Sequence, residues 1–448
     1  MKGTVHYETR GEIALLSIDN PPVNPLSSGV RQGLFDGMTK ALADEAVKAV
    51  VITGLNRAFI AGADISEFGA AASEGVGLGE ALEIMENSTK PVIAAINGTA
   101  FGGGLETALC CDYRIAASTA PVGLPEVKLG LLPGAGGTQR LPRLIGAQAA
   151  LKAIVSGDPI MAPQAQKLGI VDRIAEGDIV EEGIKYAEEI VAAGSATRKI
   201  RDLTDKIAGD KGNTAVFENA AAQLNKTNRG QFAPAQILKC VEAAVNADSF
   251  DAGMAVEREC FAACMQDPQR EALIHIFFAE RAANKIPGLS KDDPLIDINK
   301  GSVIGSGTMG GGIAMCFANA GIPVRLHDNN AENLAKGLKV IEGNYARTVS
   351  KGRLTQEAMD KRMSLIIPTE NFDDLGDADV VIEAVYENLD LKKEIFAKLD
   401  KVMKPGALLA TNTSGLDVDA IANMTSRPEF VCGMHFFSPA NVMRLLEV

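Results

Sequence analysis

The chain has no excess of basic residues: 44 Lys and Arg stand against 57 Asp and Glu, a formal charge of −13. Binding to a phosphate backbone leans on cationic excess, which excludes nucleic acid as the main partner. Anionic ligands must then be met by local basic clusters or backbone N–H groups. No run of about 18 apolar residues occurs, so no membrane span is expected. The start, Met1-Lys-Gly-Thr-Val-His6-Tyr7, has neither an apolar signal core nor an Arg-rich leader. Cysteines number only seven, odd and without paired spacing, as fits a reducing compartment. Cys260 and Cys264 lie one helical turn apart but lack a second ligand pair, so they read as buried thiols and no metal is expected. Internal repeats and low-complexity segments are also missing, and histidines number four.

What is there is a soluble globular composition, 46% hydrophobic and 23% charged, over 448 residues. That length calls for two or three domains. In the first part, Ala49–Thr53, Val92–Ile96 and Tyr113–Ala116 read as buried strands, punctuated by glycine turns at Gly62, Gly102–Gly104 and Gly134–Gly137. From about Val180 to Lys285 alanine, leucine and charged residues recur at helical spacing. The run Ile286–Pro294, rich in proline, glycine and charge, marks a boundary. After it, strands at Lys300–Ile304, Val324–His327, Val380–Glu383 and Leu408–Ala410 alternate with helices, the pattern of a doubly wound parallel sheet. The expected domains are 1–190, a helical extension and linker over 191–293, and 294–448.

Two constellations carry chemistry in the last part. Val303-Ile-Gly305-Ser-Gly307-Thr308-Met309-Gly310 runs from an apolar strand into a helix expected over Gly311–Ala320. The first glycine makes a tight turn, the second admits a pyrophosphate to the backbone, and the third lets helix pack on strand. Asp328 ends the next strand, where a carboxylate holds a ribose hydroxyl and repels a 2′-phosphate, so NAD is expected over NADP. Further on, His435-Phe-Phe-Ser-Pro439 is followed by Leu445-Leu446-Glu447. A histidine backed by a carboxylate is the usual means of lifting a proton from an alcohol.

With Val381–Lys392 and Thr411–Ser414 between them, these motifs resemble, from about residue 296 onward, the NAD domain of L-3-hydroxyacyl-CoA dehydrogenases. The resemblance implies that His435 is the base, Glu447 its orienting acid and Ser414 a hydrogen-bond partner of the substrate oxygen. It implies that Asp328, Ala384, Glu387 and Lys392 line the cofactor, beside Gly305, Gly307, Thr308, Met309 and Gly310. Single-function members often carry Asn where this chain has Ser438, and multifunctional members match it.

The first part holds a second set. Phe59–Asp64 and Gly102–Glu106 are glycine-containing turns able to aim two N–H groups into a cleft, an oxyanion hole for the enolate formed when a thioester is attacked at its β-carbon. Glu106 and Glu126 lie on separate elements within apolar stretches, and paired carboxyls can divide acid and base work if their surroundings split their pKa values. The runs 61–64, 97–106 and 124–146 together resemble the enoyl-CoA hydratase (crotonase) family, over about residues 5–190. The resemblance implies a ββα-spiral fold, an oxyanion hole from the Ala63 and Gly103 N–H groups, Glu106 and Glu126 as the hydrating pair, and Gly134 near the attacking water.

Hydratase before dehydrogenase, joined by the run Ile276–Gly288, resembles the multifunctional β-oxidation enzymes of bacteria and peroxisomes. The resemblance implies hydration of trans-2-enoyl-CoA, oxidation of the (3S)-3-hydroxyacyl-CoA with NAD, a possible Δ3–Δ2 isomerase side activity, and a thiolase subunit as a possible partner. The alternatives are a non-enzymatic scaffold with degenerate sites, and an isomerase fused to a short-chain dehydrogenase. The expected compartment is a bacterial cytoplasm, with the peroxisome as the alternative. Because that dehydrogenase family uses a helical second domain after the NAD domain, the chain is expected to be partial, to hydrate, and to oxidise poorly with a loosely held Glu447.

Overall fold

A computed structural model describes residues 2–64, 75–194, 197–283, 285–290 and 292–448. Asn284 and Lys291, in the linker reading, lie outside the described residues. The chain divides into two compact units, ending at Gly288 and beginning at Leu289.

In the first unit, after an opening antiparallel pair, strands come in twos, one for each of two sheets. The six-stranded sheet has β1 (Thr4–Arg10) and β2 (Ile13–Asp19) antiparallel. It continues in parallel through β3 (Ala49–Gly54), β5 (Val92–Ile96), β7 (Tyr113–Ala117) and β10 (Arg173–Ala175). The four-stranded sheet has β4 (Ala58–Ile60), β6 (Thr99–Phe101) and β8 (Pro121–Gly123) parallel, with β9 (Ile160–Met161) antiparallel at its edge. Chain order therefore reads strand, strand, helix: β3, β4, then helix Leu78–Glu86; β5, β6, then helix Gly103–Cys110; β7, β8, then a 3₁₀ turn at Glu126–Leu129. This is the ββα spiral expected from the sequence.

The apolar runs explain why the large sheet is covered twice. Side chains alternate faces along a strand, so Val50 and Ile52 join the main core while Ala49 and Val51 face the other way. There Ile184, Ala187 and Ile190 of helix Ile179–Ala192 meet them. The stretch read as helical contains helices Thr214–Thr227, Ala233–Asn246, Phe250–Gln266 and Pro268–Ala283.

The second unit is a parallel sheet of β11 (Gly301–Ile304), β12 (Val324–His327), β13 (Ile366–Thr369), β14 (Val380–Glu383), β15 (Leu408–Thr411) and β16 (Val431–Gly433). The order is β13-β12-β11-β14-β15-β16, which reverses direction at β11. Doubly wound sheets bind ligands at that reversal, beyond the carboxyl ends of the strands. A two-stranded antiparallel pair, β17 (His435–Phe436) and β18 (Leu446–Glu447), follows. The expected helix Gly311–Ala320 begins earlier, at Thr308, and ends at Asn319, because Gly307 serves as its N-cap.

Candidate active sites

Parallel neighbours bring their carboxyl ends together, about 4.8 Å apart per strand. In the small sheet β4 leads towards Ala63, β6 to Gly102 and the helix bearing Glu106, and β8 to Glu126. Each turn of the spiral thus delivers one part of a single site. Gly62 (φ 125°) and Gly102 (φ 54°) make the bends, which only glycine takes without strain. Gly103 opens its helix, where an N–H has no intrahelical acceptor. A Cβ added there would stand 3.8 Å from the Ala63 nitrogen, which places both N–H bearers at one spot. A Cβ on Gly104 would come within 2.1 Å of the Ile60 carbonyl oxygen, so the helix packs on β4 through bare backbone.

Glu106 is 2% exposed, and its Oε1 accepts the N–H groups of Ala135 and Gly137, both at 2.8 Å. Burial pushes this carboxyl up, while the two N–H donors and Arg140 pull it back. Glu126 has its Oε2 sealed from solvent with no hydrogen-bond partner. Burial, then the charge of Glu106, hold it well above the ordinary carboxylate range. Both carboxyls are thus raised, Glu126 further than Glu106, a split that acid–base chemistry can use. Gly134 sits against helix Phe250–Gln266, where a Cβ would meet the Phe261 ring at 2.6 Å.

A third carboxyl escaped the reading of the sequence. Glu257 is fully buried and accepts the Gly136 N–H at 2.7 Å, the Thr138 N–H at 3.2 Å and the Thr138 hydroxyl. Burial, with the charge of Glu106, pushes it up to about 8. The only trace in the sequence is a glutamate within the buried stripe Gly253, Glu257, Cys260, Cys264 of its helix. Burial also raises the Cys264 thiol, to about 12.

In the second unit, Gly305 turns at φ 100°, and a Cβ there would lie 2.6 Å from the Ala384 carbonyl oxygen. Gly310 leaves no room either, since a Cβ would fall 1.7 Å from the Gly305 oxygen. At Gly307, by contrast, a Cβ would meet nothing within 4 Å. That is a cradle a side chain would fill and a pyrophosphate fits, in front of the uncapped start of helix Thr308–Asn319. Thr308 and Met309 form the first turn of that helix. The Asp328 carboxylate accepts the Ser306 N–H at 3.0 Å and hydroxyl at 2.6 Å. Partial burial opposes its charge, but these bonds hold it below the usual range.

Lys392 is 1% exposed, with Nζ 2.7 Å and 2.9 Å from the two oxygens of buried Glu383 and 3.5 Å from Glu387. Its buried ammonium thus links the core carboxylate of Glu383 to the exposed Glu387. Glu387 is exposed and accepts the Thr413 hydroxyl at 2.5 Å and the Ser414 N–H at 3.1 Å, drawing Ser414 into the same corner. Glu383 also accepts the Thr411 hydroxyl at 2.7 Å. The sequence reading missed the roles of Glu383 and Thr411. His435 has Nδ1 at 2.8 Å from the Glu447 carboxylate. Its strand is tied to the sheet by the Met434 N–H on the Thr411 carbonyl at 2.9 Å, and by the Phe436 N–H on the Asn412 side chain at 2.8 Å. Asn412 was likewise not singled out, since an anchor two strands away leaves no local pattern.

Residues 8–232 match the family model for enoyl-CoA hydratase/isomerase, and residues 300–448 match that for the NAD binding domain of 3-hydroxyacyl-CoA dehydrogenase. The peroxisomal bifunctional enzyme of Cavia porcellus is 44% identical over 446 residues, covering 97% of this chain and 60% of that protein. The human protein of the same name is 43% identical over 440 residues, with the same coverage. The Arabidopsis thaliana peroxisomal fatty acid beta-oxidation multifunctional protein AIM1 is 37% identical over 448 residues, 97% of this chain and 62% of that one. The chain spans about three fifths of the length of these relatives. It belongs to the enoyl-CoA hydratase/isomerase family and carries, C-terminal to that domain, the NAD binding domain of a 3-hydroxyacyl-CoA dehydrogenase.

Proposed function

We propose that the chain hydrates trans-2-enoyl-CoA to (3S)-3-hydroxyacyl-CoA in its first unit and contributes, in its second, to oxidation of that product to 3-oxoacyl-CoA. One observation carries the hydratase reading: Glu106 takes two backbone N–H groups on one oxygen while Glu126 keeps a buried oxygen without a partner. Glu106 removes a proton from water as the oxygen attacks C3. The thioester oxygen gathers negative charge, which the Ala63 and Gly103 N–H groups stabilise. Glu126 gives its proton to C2. One proton then returns from Glu106 to Glu126, which resets the pair. The same two carboxyls could move a proton between carbons, which supports Δ3–Δ2 isomerisation as a second reading.

In the second unit His435 takes the hydroxyl proton on Nε2, while Glu447 on Nδ1 fixes the tautomer and stabilises the imidazolium. Ser414 is placed to meet the substrate oxygen. NAD, when bound, supplies the acceptor for the C3 hydride; Asp328 meets its ribose and Gly305–Gly310 its pyrophosphate. The intact carboxyls, fingerprint and His435–Glu447 pair all speak against a scaffold with degenerate sites. The 3-oxo product is the electrophile that thiolytic cleavage consumes, which supports a thiolase subunit as partner. Of the two expected compartments, the printed names of the relatives support the peroxisome, and the seven free cysteines suit either. No helix among the described residues is long and apolar enough to cross a membrane.

The test is a coupled assay with crotonyl-CoA and NAD. Loss of the enoyl absorbance reports hydration and NADH formation reports oxidation. Absence of the first would overturn the hydratase reading. Slow NADH formation is expected, full-rate NADH formation would overturn that expectation, and failure of the chain to bind NADH would overturn the dehydrogenase reading.

A further inference from the structure

Between Pro133 and Arg140 four successive N–H groups alternate between two buried carboxyls. Ala135 and Gly137 donate to Glu106; Gly136 and Thr138 donate to Glu257. The loop is thin by necessity. A Cβ on Gly137 would press on Glu106 Oε1 at 2.9 Å, and one on Gly136, at φ 95°, would strike the Arg140 guanidinium at 1.7 Å. Arg140 donates to the Ala135 carbonyl at 2.9 Å and is itself clamped by both oxygens of Glu86 at 2.8 Å. On the far side Phe261, one turn after Glu257 on the same helix, lies against Gly134.

We propose that Glu257 is a positioning residue of the hydration site, holding the Gly136 and Thr138 N–H groups so that the Ala135 and Gly137 N–H groups stay aimed at Glu106. This rests on the hydratase reading of the first unit. The chemistry of the side chain argues for the role. Among the described residues no cation lies within ion-pair distance of Glu257, only the more distant charge of Arg140 acting on it, and a buried carboxyl without a direct ion pair is a costly way to fill a core. An apolar side chain would fill the space at less cost. What a carboxyl adds is two acceptor oxygens on one face, matched here to two N–H groups two residues apart. Glu106 receives the other two, so a slip of the loop on one side is a slip on both. Two donors on Glu106 favour its charged form, which is the form that deprotonates water.

Replacing Glu257 by Gln leaves one acceptor for two N–H groups; Glu257→Leu leaves none. Hydration of crotonyl-CoA should lose kcat by about tenfold in Glu257→Gln and about a hundredfold in Glu257→Leu, with KM within about twofold, as misplacement of a reacting group predicts. The acid limb of the kcat–pH profile should move upward, because Glu106 loses donors. A folded Glu257→Leu protein with wild-type kcat and limb overturns the proposal. If that variant does not fold, Glu257→Gln with an unmoved limb does so. Should the unaltered chain fail to hydrate crotonyl-CoA, it is the functional reading that fails. Backbone hydrogen exchange over residues 134–140 then decides the positioning role: faster exchange in Glu257→Gln supports it, and unchanged exchange overturns it.

Discussion

His435 and Glu447 are direct register partners across the antiparallel pair β17–β18, with Nδ1 and Oε2 2.8 Å apart. The ladder sets the Glu447 carboxylate beside the ring on a side chain that is 60% exposed, and the expectation that it is loosely held is tested by the Glu447 variant. His435→Asn should slow oxidation of (3S)-3-hydroxybutyryl-CoA by about 10²–10⁴-fold, the usual worth of a positioned base. Glu447→Gln should cost about 10–10²-fold, since it disturbs the tautomer and leaves Nε2 in place. NADH absorbance follows the rate and fluorescence titration checks that NADH still binds. Equal rates in all three proteins would remove the pair from the mechanism.

Glu106→Gln and Glu126→Gln should each lower hydration of crotonyl-CoA by about 10²–10⁴-fold and leave NADH binding untouched. The pH profile should be bell-shaped. Activity needs Glu106 ionised, so it falls on the acid side as Glu106 takes a proton; Glu126 must be protonated, so it falls on the alkaline side as Glu126 ionises. Both carboxyls are raised, which puts the acid limb above the ordinary glutamate range of about 4.3. An acid limb at or below that value would contradict the burial of Glu106.

At Gly307 an added Cβ meets nothing within 4 Å, so Gly307→Val should fold normally yet lose NADH, because the valine occupies the pyrophosphate's place. The unaltered chain should bind NADH well in preference to NADPH, because Asp328 repels a 2′-phosphate. Fluorescence titration with both cofactors measures each claim, and equal affinity for the two would refute the second.

Lys392→Met should destabilise the second unit by about 3–5 kcal/mol, since it strands the Glu383 carboxylate in the core. Adding Glu383→Leu should restore part of that loss. Denaturant titration of the single and double variants reads both. A single variant as stable as the parent would show that the ion pair contributes nothing.

Much of the framework was legible because strands and fingerprints are local. Val92–Ile96 and Val380–Glu383 are short, mainly apolar runs and Val324–His327 alternates apolar with basic residues, and the strands reproduce all three bounds. The glycine spacing at 305, 307 and 310 is likewise readable, although the Ala384 carbonyl that Gly305 lies against is far along the chain. Glu257 shows where such reading stops. Its partners lie at Gly136 and Thr138, more than a hundred residues back, and no spacing rule links a helical glutamate to a glycine loop across that distance. Lys392, Glu383 and Thr411 meet only because parallel strands β14 and β15 stand side by side above the same helix turn. Residue type and short-range spacing could name the chemistry. Which carboxyl holds its proton, and which loop is held against it, came from burial and from contacts that exist only once distant segments pack together.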